Sequence, residues 1–101
     1  MSVTLNQQAG IGTLSISGNF TFGIHREFRR LSEQALDDPA CKQLDMDLAG
    51  VQYLDSSALG MLLLAREKAA AQGKQIRLKG ATGHALQILQ AVKFDQMFEL
   101  V

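Results

Sequence analysis

The chain has 101 residues, of which 47% are hydrophobic, and its 10 Lys plus Arg balance its 10 Asp plus Glu. This length is typical of one domain with a real core, and the apolar fraction excludes a disordered chain. A net charge near zero argues against phosphate-backbone binding, since that needs a basic surface. The single cysteine, Cys41, cannot form an internal disulfide, which favours a reducing compartment. With no secretory signal and no apolar run near ~18 residues, we expect one cytoplasmic domain over residues 1–101.

Hydrophobic periodicity predicts four strands, a short fifth strand and three helices. In chain order they are a hairpin of strands over 3–6 and 13–17 with its turn over 8–12, a helix over 22–36, a strand over 44–48, a helix over 57–72, a strand over 75–79, a helix over 85–92 and a terminal strand over 97–101. Gly18-Asn19 is expected to end the second strand, and Asp37-Asp38-Pro39 the first helix, because the residue before proline disfavours helical angles. Residues 50–55 are expected to form a loop, and Gly73 to stop the second helix.

Each of the first four predicted strands has one apolar and one polar face. Strands covered by helices on both faces are continuous apolar runs, so the alternation places the helices on one side of the sheet. The sequence therefore predicts an α/β fold, with a mixed sheet of four to five strands and helices packed mainly on one face. Asp45 and Asp47 fall on the polar face, where we expect them to be solvated and to pair with Arg77 and Lys79.

The segment Leu54-Asp55-Ser56-Ser57-Ala58-Leu59-Gly60 lies where a strand-like stretch leads into a long apolar helix. Asp55 or Ser56 could cap that helix, as both residue types are preferred there. No Glu or Gln follows three residues after either one, so the reciprocal capping box is missing. A second interpretation is that Ser56 is phosphorylated. The group would add about −1.5 to −2 charges at pH 7, next to a helix N-terminus that tolerates them.

Catalysis and metal binding fit these residues poorly. A nucleophilic serine needs a base within hydrogen-bond reach, but of the two histidines His25 lies early in the first helix and His84 opens the third. The Gly-x-Ser-x-Gly elbow of hydrolases is also absent. One cysteine and two distant histidines lack the spacing of a zinc site. We therefore expect no catalytic residue, no metal and no cofactor.

The predicted second helix contains an apolar run from Ala58 to Ala65, if Gly60 is included. Such a run covers more than one face of a helix. It is either buried between the sheet and neighbouring helices, or partly exposed as a partner surface beside Ser56. Methionine suits such contacts because its side chain adapts its shape, and Gly60 would let another backbone come close.

Residues 51–60, Val-Gln-Tyr-Leu-Asp-Ser-Ser-Ala-Leu-Gly, resemble the phosphorylation loop of the STAS family, the bacterial anti-sigma-factor antagonists. Residues 44–48, residues 73–78 and the order of the elements are similar to the family as well. The resemblance implies that Ser56 accepts the phosphate. It also implies that the unmodified protein binds an anti-sigma factor with serine kinase activity, and that a serine phosphatase reverses the modification. Two residues depart from the family pattern: Ala58 stands where glycine is usual, and Thr21 where many members have aspartate.

On this resemblance we expect a non-catalytic partner-switching protein in which Asp55 orients the loop and Ser57 to Leu64 form part of the docking surface. The residues expected at the loop or the partner contact are Thr21, Asp55, Ser57, Ala58, Leu59, Gly60, Met61 and Leu64. We expect a monomer or weak dimer, with no direct nucleic-acid contact and no membrane insertion. STAS-like domains also serve as constitutive subunits of membrane-transporter complexes, including lipid transporters, where they dock on an ATPase. In that alternative Ser56 is only part of a helix cap.

Overall fold

Strands and helices alternate along the chain in the computed structural model, which describes residues 2–101. The elements are β1 (Ser2–Gln8), β2 (Ile11–Phe20), α1 (His25–Asp37), β3 (Gln43–Leu54), α2 (Ser56–Ala71), β4 (Gln75–Lys79), α3 (Gly83–Ala91) and β5 (Glu99–Leu100). Two short 3₁₀ helices precede α1 and β5, at Phe22–Ile24 and Phe94–Gln96. The predicted elements and their order are confirmed.

The strands form one mixed sheet in the order β1-β2-β3-β4-β5. The β1–β2 pair is antiparallel, and the other three pairs are parallel. Between β1 and β2, a two-residue loop of Ala9 and Gly10 has positive φ at both positions, 54° and 83°. This is the backbone of a type I′ turn, whose twist matches that of the strands it joins. The parallel pairs are joined by the helices, as parallel strands require a crossover.

The core lies on one side of the sheet. Leu44, Met46 and Leu48 of β3 are fully buried, and the buried apolar residues of all three helices belong to the same cluster. The opposite face carries polar residues such as Thr13 and Ser15 of β2. The expected α/β fold, with helices on one face of the sheet, is thereby confirmed.

Two predicted boundaries are wrong, because β2 and β3 are longer than their local sequence suggests. Gly18-Asn19 does not end β2, and residues 50–54 are not a loop but the second half of β3. The parallel pairing of β2 with β3 continues to Phe20 opposite Leu54, past irregularities in the register. Gly18 has a φ of +87°, a conformation that glycine adopts without strain, beside one of these irregularities. Pairing between strands therefore overrides a local turn signal.

Asp45 is also placed differently from the expectation of a solvated face, since it is only 2% exposed. The expected pair with Arg77 is confirmed. Arg77 donates from Nε and Nη2 to the two Asp45 carboxylate oxygens at 2.9 and 2.8 Å, and Gln43 Nε2 adds a third bond at 2.8 Å. Asp47 lies opposite Lys79 in the register, but its oxygens accept hydrogen bonds from Ser15 Oγ and the Ala49 backbone N–H. Asp45 is buried because its hydrogen-bonding neighbours cover it.

The C-terminal ends of α1 and α2 are joined by a group of polar contacts. Lys74, just after α2, donates from Nζ to the Leu36 and Asp38 carbonyl oxygens, the latter at 2.8 Å. Its charge suits that position, because the last carbonyls of a helix carry partial negative charge. Asp37 of α1 forms an ion pair with Lys68 of α2 at 3.0 Å. This end of α2 is therefore held against α1.

Candidate functional site

Asp55 joins the start of α2 to the end of β2. Its Oδ1 accepts a hydrogen bond from the Ala58 backbone N–H at 2.8 Å, which is the N-cap interaction of α2. Its Oδ2 accepts one from the Phe22 N–H at 3.3 Å, and its own N–H donates to the Phe20 carbonyl oxygen at 3.2 Å. One carboxylate thus fixes two segments that are far apart in the chain. Asp55, and not Ser56, is the helix cap.

Ser56 is the first residue of α2, and its side chain is exposed. It therefore lies at the end of the helix dipole where partial positive charge is concentrated. The first turn of α2 contains no acidic residue, so Asp55 is the carboxylate next to Ser56 in the chain. A hydroxyl at this position is open to solvent.

Thr21 lies in the segment that Asp55 holds. The residues on either side of it, Phe20 and Phe22, contribute the two backbone groups that contact Asp55. Thr21 Oγ1 accepts a hydrogen bond from the Gly23 N–H at 3.4 Å and so caps the first 3₁₀ helix. Thr21 is thus an uncharged residue in the segment that Asp55 joins to the start of α2.

The apolar run of α2 is divided between core and surface. Ala58 is fully buried and Met61 is 7% exposed, so these two side chains belong to the core of the chain. This corrects the expectation that they contact a partner, because their face of the helix packs against the rest of the domain. Leu64, in contrast, is 67% exposed. A methyl group added at Gly60 would meet no atom within 4 Å.

The side chains of Ser57 and Leu59 are half-buried, between fully buried Ala58 and exposed Leu64.

Sequence reasoning missed an exposed aromatic side chain beside this helix. Phe22 is 65% exposed and lies in the short 3₁₀ helix before α1, where the sequence predicted the start of the first helix. Its ring stacks on that of His25, with centroids 5.1 Å apart and an 11° angle between the planes. We name Phe22, Ser56, Gly60 and Leu64 the Ser56 face. The last three recur every four residues along α2, which places them on neighbouring turns.

Tyr53, at the end of β3, is a second exposed aromatic residue that the sequence did not single out. Its ring stacks on His84 of α3, with centroids 6.2 Å apart. Because its neighbour Leu54 is buried, Tyr53 points away from the core, as alternation along a strand requires. Each histidine ring thus stacks on an exposed aromatic ring, His25 on Phe22 and His84 on Tyr53. Neither of these contacts brings an imidazole to the Ser56 hydroxyl as a base.

A groove of about 280 Å³ lies between α1 and α2, and Leu64 is one of the residues that line it. Its lining is mixed, with apolar Phe28 and Met61 next to charged Arg29 and Lys68. In residues 2–101, no group of three or more His, Cys, Asp or Glu side chains is arranged to hold a metal ion. None of the helices described over that range has the length and apolarity needed to cross a membrane.

Comparison with known proteins identifies the family. Residues 3–101 match the model of the family described as "Mlab, STAS domain". A STAS-domain containing protein of Pseudomonas aeruginosa (strain UCBPP-PA14) is 40% identical over 88 residues, which are 87% of this chain and 85% of that protein.

Three solved structures illustrate the fold. An anti-sigma factor antagonist from Mycobacterium paratuberculosis has a TM-score of 0.85 and 21% identity, over 98% of this chain and 83% of that chain. SpoIIAA, the Bacillus cell fate determinant, has a TM-score of 0.77 in its phosphorylated form, with 13% identity over 99% and 91% of the two chains. A sulfate transporter family protein from Wolinella succinogenes has a TM-score of 0.76, with 20% identity over 89% and 72%. The family match spans nearly all of the sequence, and this chain belongs to the STAS-domain family.

Proposed function

We propose that this chain is an anti-sigma-factor antagonist of a cytoplasmic partner-switching pathway. In its unmodified form it binds an anti-sigma factor that is also a serine kinase. Phosphorylation of Ser56 by that kinase ends the interaction, and a serine phosphatase restores it. The protein acts by binding alone and catalyses no reaction.

The observation that carries this proposal is the division of roles between Asp55 and Ser56. Since Asp55 caps α2 and holds the Phe22 segment, the Ser56 hydroxyl is not needed for the cap. It is exposed at the helix N-terminus, where a phosphate is stabilised by the dipole and by nearby backbone N–H groups. The fold is shared with SpoIIAA, which has been solved in a phosphorylated form, and this supports a phosphorylated state here.

The switch follows from the different surroundings of Ser56 in the free and bound states. In the free chain, a phosphate of about −1.5 to −2 charges is solvated, and the fold tolerates it. In a complex, the same group is taken out of water beside Asp55. Burying a charge without a matching cation costs several kcal/mol, which is enough to release a partner of micromolar affinity.

The Ser56 face is the docking surface that we propose. Phe22 and Leu64 supply apolar area that is still exposed to water in the isolated chain. Aromatic and large aliphatic side chains of this kind are typical anchors of protein interfaces. Gly60 lies between Ser56 and Leu64 and leaves room for a close approach by the partner.

The test is to incubate the protein with the kinase of its pathway and ATP, and to map the phosphate by mass spectrometry. We expect phosphate on Ser56 in the wild type and in Ser57→Ala, a matched control one residue away, and none in Ser56→Ala. In binding assays, Ser56→Ala should bind its partner persistently, and Ser56→Asp at least tenfold more weakly. Phosphate at another residue, or equal affinity of the two variants, contradicts the proposal.

A second candidate is a constitutive subunit that docks on the ATPase of a membrane transporter, such as a lipid transporter. The shared fold of the sulfate transporter family protein favours this candidate. Here Ser56→Asp should bind the ATPase as well as the wild type does, whereas Leu64→Lys should weaken binding. Kinase and phosphatase genes beside this gene favour switching, and permease genes favour transport.

A further inference from the structure

β1 is a long edge strand whose outer side is not paired within the described chain. It is the first strand in the sheet order, and all seven of its residues pair with β2 on one side, from Ser2 opposite Ser17 to Gln8 opposite Ile11. Alternate backbone N–H and C=O groups of an edge strand point outward. These outward-pointing backbone groups can form hydrogen bonds with one more strand.

The usual protections of such an edge are absent from β1. Its sequence, Ser-Val-Thr-Leu-Asn-Gln-Gln, has no charged residue and no proline, although 20% of the chain is charged. The register of β1 with β2 contains no bulge. Natural edge strands are commonly blocked by lysine, proline, bulges or shortness. The other edge fits that rule, since β5 has two residues and one is Glu99.

The side chains of β1 also leave room for a partner. Val3 and Leu5 pack against the core cluster but are only half-buried, because no further strand covers them. Thr4 and Asn6 are exposed on the polar face. A strand added beside β1 would complete the burial of the first pair and find uncharged neighbours on the other face.

We propose that this strand is β1 of a second copy, which gives a symmetric dimer with one continuous sheet. Antiparallel pairing about a twofold axis at Leu5 puts Leu5 against Leu5 on the core face and Thr4 against Asn6 on the polar face. Because β1 is uncharged, the two copies meet without repulsion. A symmetric interface of this kind is self-complementary. The dimer uses none of the residues of the Ser56 face and does not depend on the proposed switch.

The test is sedimentation velocity of the full chain from micromolar to millimolar concentration, which should give a concentration-dependent dimer. The double variant Thr4→Lys with Asn6→Lys sets two lysine pairs across the axis and should weaken dimerisation roughly tenfold. Thr4→Lys with Asn6→Glu sets lysine opposite glutamate and should restore the dimer. Circular dichroism verifies that both variants fold.

The control is Gln87→Lys with Gln96→Lys, which adds the same charge at exposed positions away from β1 and should leave the dimer unchanged. A protein that stays monomeric up to millimolar concentration overturns the proposal, as does a dimer insensitive to the two lysines at 4 and 6. Loss of the dimer with lysines but no recovery with the lysine and glutamate pair overturns the proposed register.

Discussion

A carboxylate makes a stronger cap than a hydroxyl, because an ionised acceptor bonds more strongly to backbone N–H groups at the positive end of a helix. Asp55 uses both of its oxygens in this way, one for α2 and one for the segment that follows β2. The role of residue 55 is thus structural, and the exposed hydroxyl of residue 56 is not needed for the cap. Adjacent residues with similar cap preferences have different roles because only one of them faces inward.

Ala9 is a residue whose backbone conformation suits a different side chain. Its φ of 54° lies in the left-handed region, which costs most L-residues roughly 1–2 kcal/mol. Asparagine tolerates this region, and Asn-Gly is the preferred pair of a type I′ turn. We expect Ala9→Asn to raise the free energy of unfolding by about 0.5–1 kcal/mol, which corresponds to several degrees in Tm. Thermal and urea unfolding measure this effect, and a lower Tm would contradict it.

Gly60 allows stability and binding to be separated. It lies inside α2, where glycine is about 0.5–1 kcal/mol less favourable than alanine, and the added methyl group would meet no neighbour. Gly60→Ala should therefore stabilise the chain by about that amount, and should weaken partner binding if the partner approaches Gly60 closely. Urea unfolding and titration with the partner measure the two effects. The reverse change at exposed Ala70, Ala70→Gly, is the control and should lower stability without changing affinity.

At the scale of elements, β3 and β4 are joined by the pair of Asp45 and Arg77. The hydrogen bonds from Arg77, together with its positive charge, hold the pKa of the Asp45 carboxyl below its ordinary value of 3.8. A carboxyl whose pKa is lower in the folded state stabilises the fold above its unfolded pKa. That contribution is lost as the pH falls through the folded pKa.

The change that tests this is Asp45→Asn. At pH 6 we expect it to lower the free energy of unfolding by about 1–3 kcal/mol, because Arg77 loses its charged partner. The difference in the free energy of unfolding between variant and wild type should become smaller as the pH falls below 3.8. Urea unfolding from pH 6 to pH 2 measures it, with Asp95→Asn at an exposed carboxyl as the control. A gap that is constant across this range would mean that the charge of Asp45 contributes nothing.

At the scale of the whole molecule, the one-sided sheet was predictable because alternation in each strand reports directly on its two faces. The ends of β2 and β3 were not, because residues 18–20 and 50–54 continue these strands by pairing with each other, which the local sequence does not show. Asp45 alternates like a solvated residue, yet its neighbours on adjacent strands bury it. Local sequence cannot reveal such neighbours before the register is known.

The candidate site, like the fold, could be predicted from the sequence only in part. The position of Ser56 at a helix start followed from the sequence, since cap residues precede an apolar run there. The identity of the cap did not, because it depends on which side chain reaches the N–H of Ala58. Phe22 was missed because the sequence indicates only the start of the first helix there, whereas it lies exposed in a separate 3₁₀ helix before α1. An aromatic residue two positions after the end of a strand is the signal that could have indicated it.

The contacts of Lys74 and Lys68 with the end of α1 have a consequence for the opposite end of α2. Because these contacts hold the C-terminal end of α2 and Asp55 caps its N-terminus, we expect a phosphate on Ser56 to displace the helix little. The phosphate would then act mainly through its charge at the surface of the domain. In the proposed function, the conformational response would then occur in the partner that contacts the phosphate.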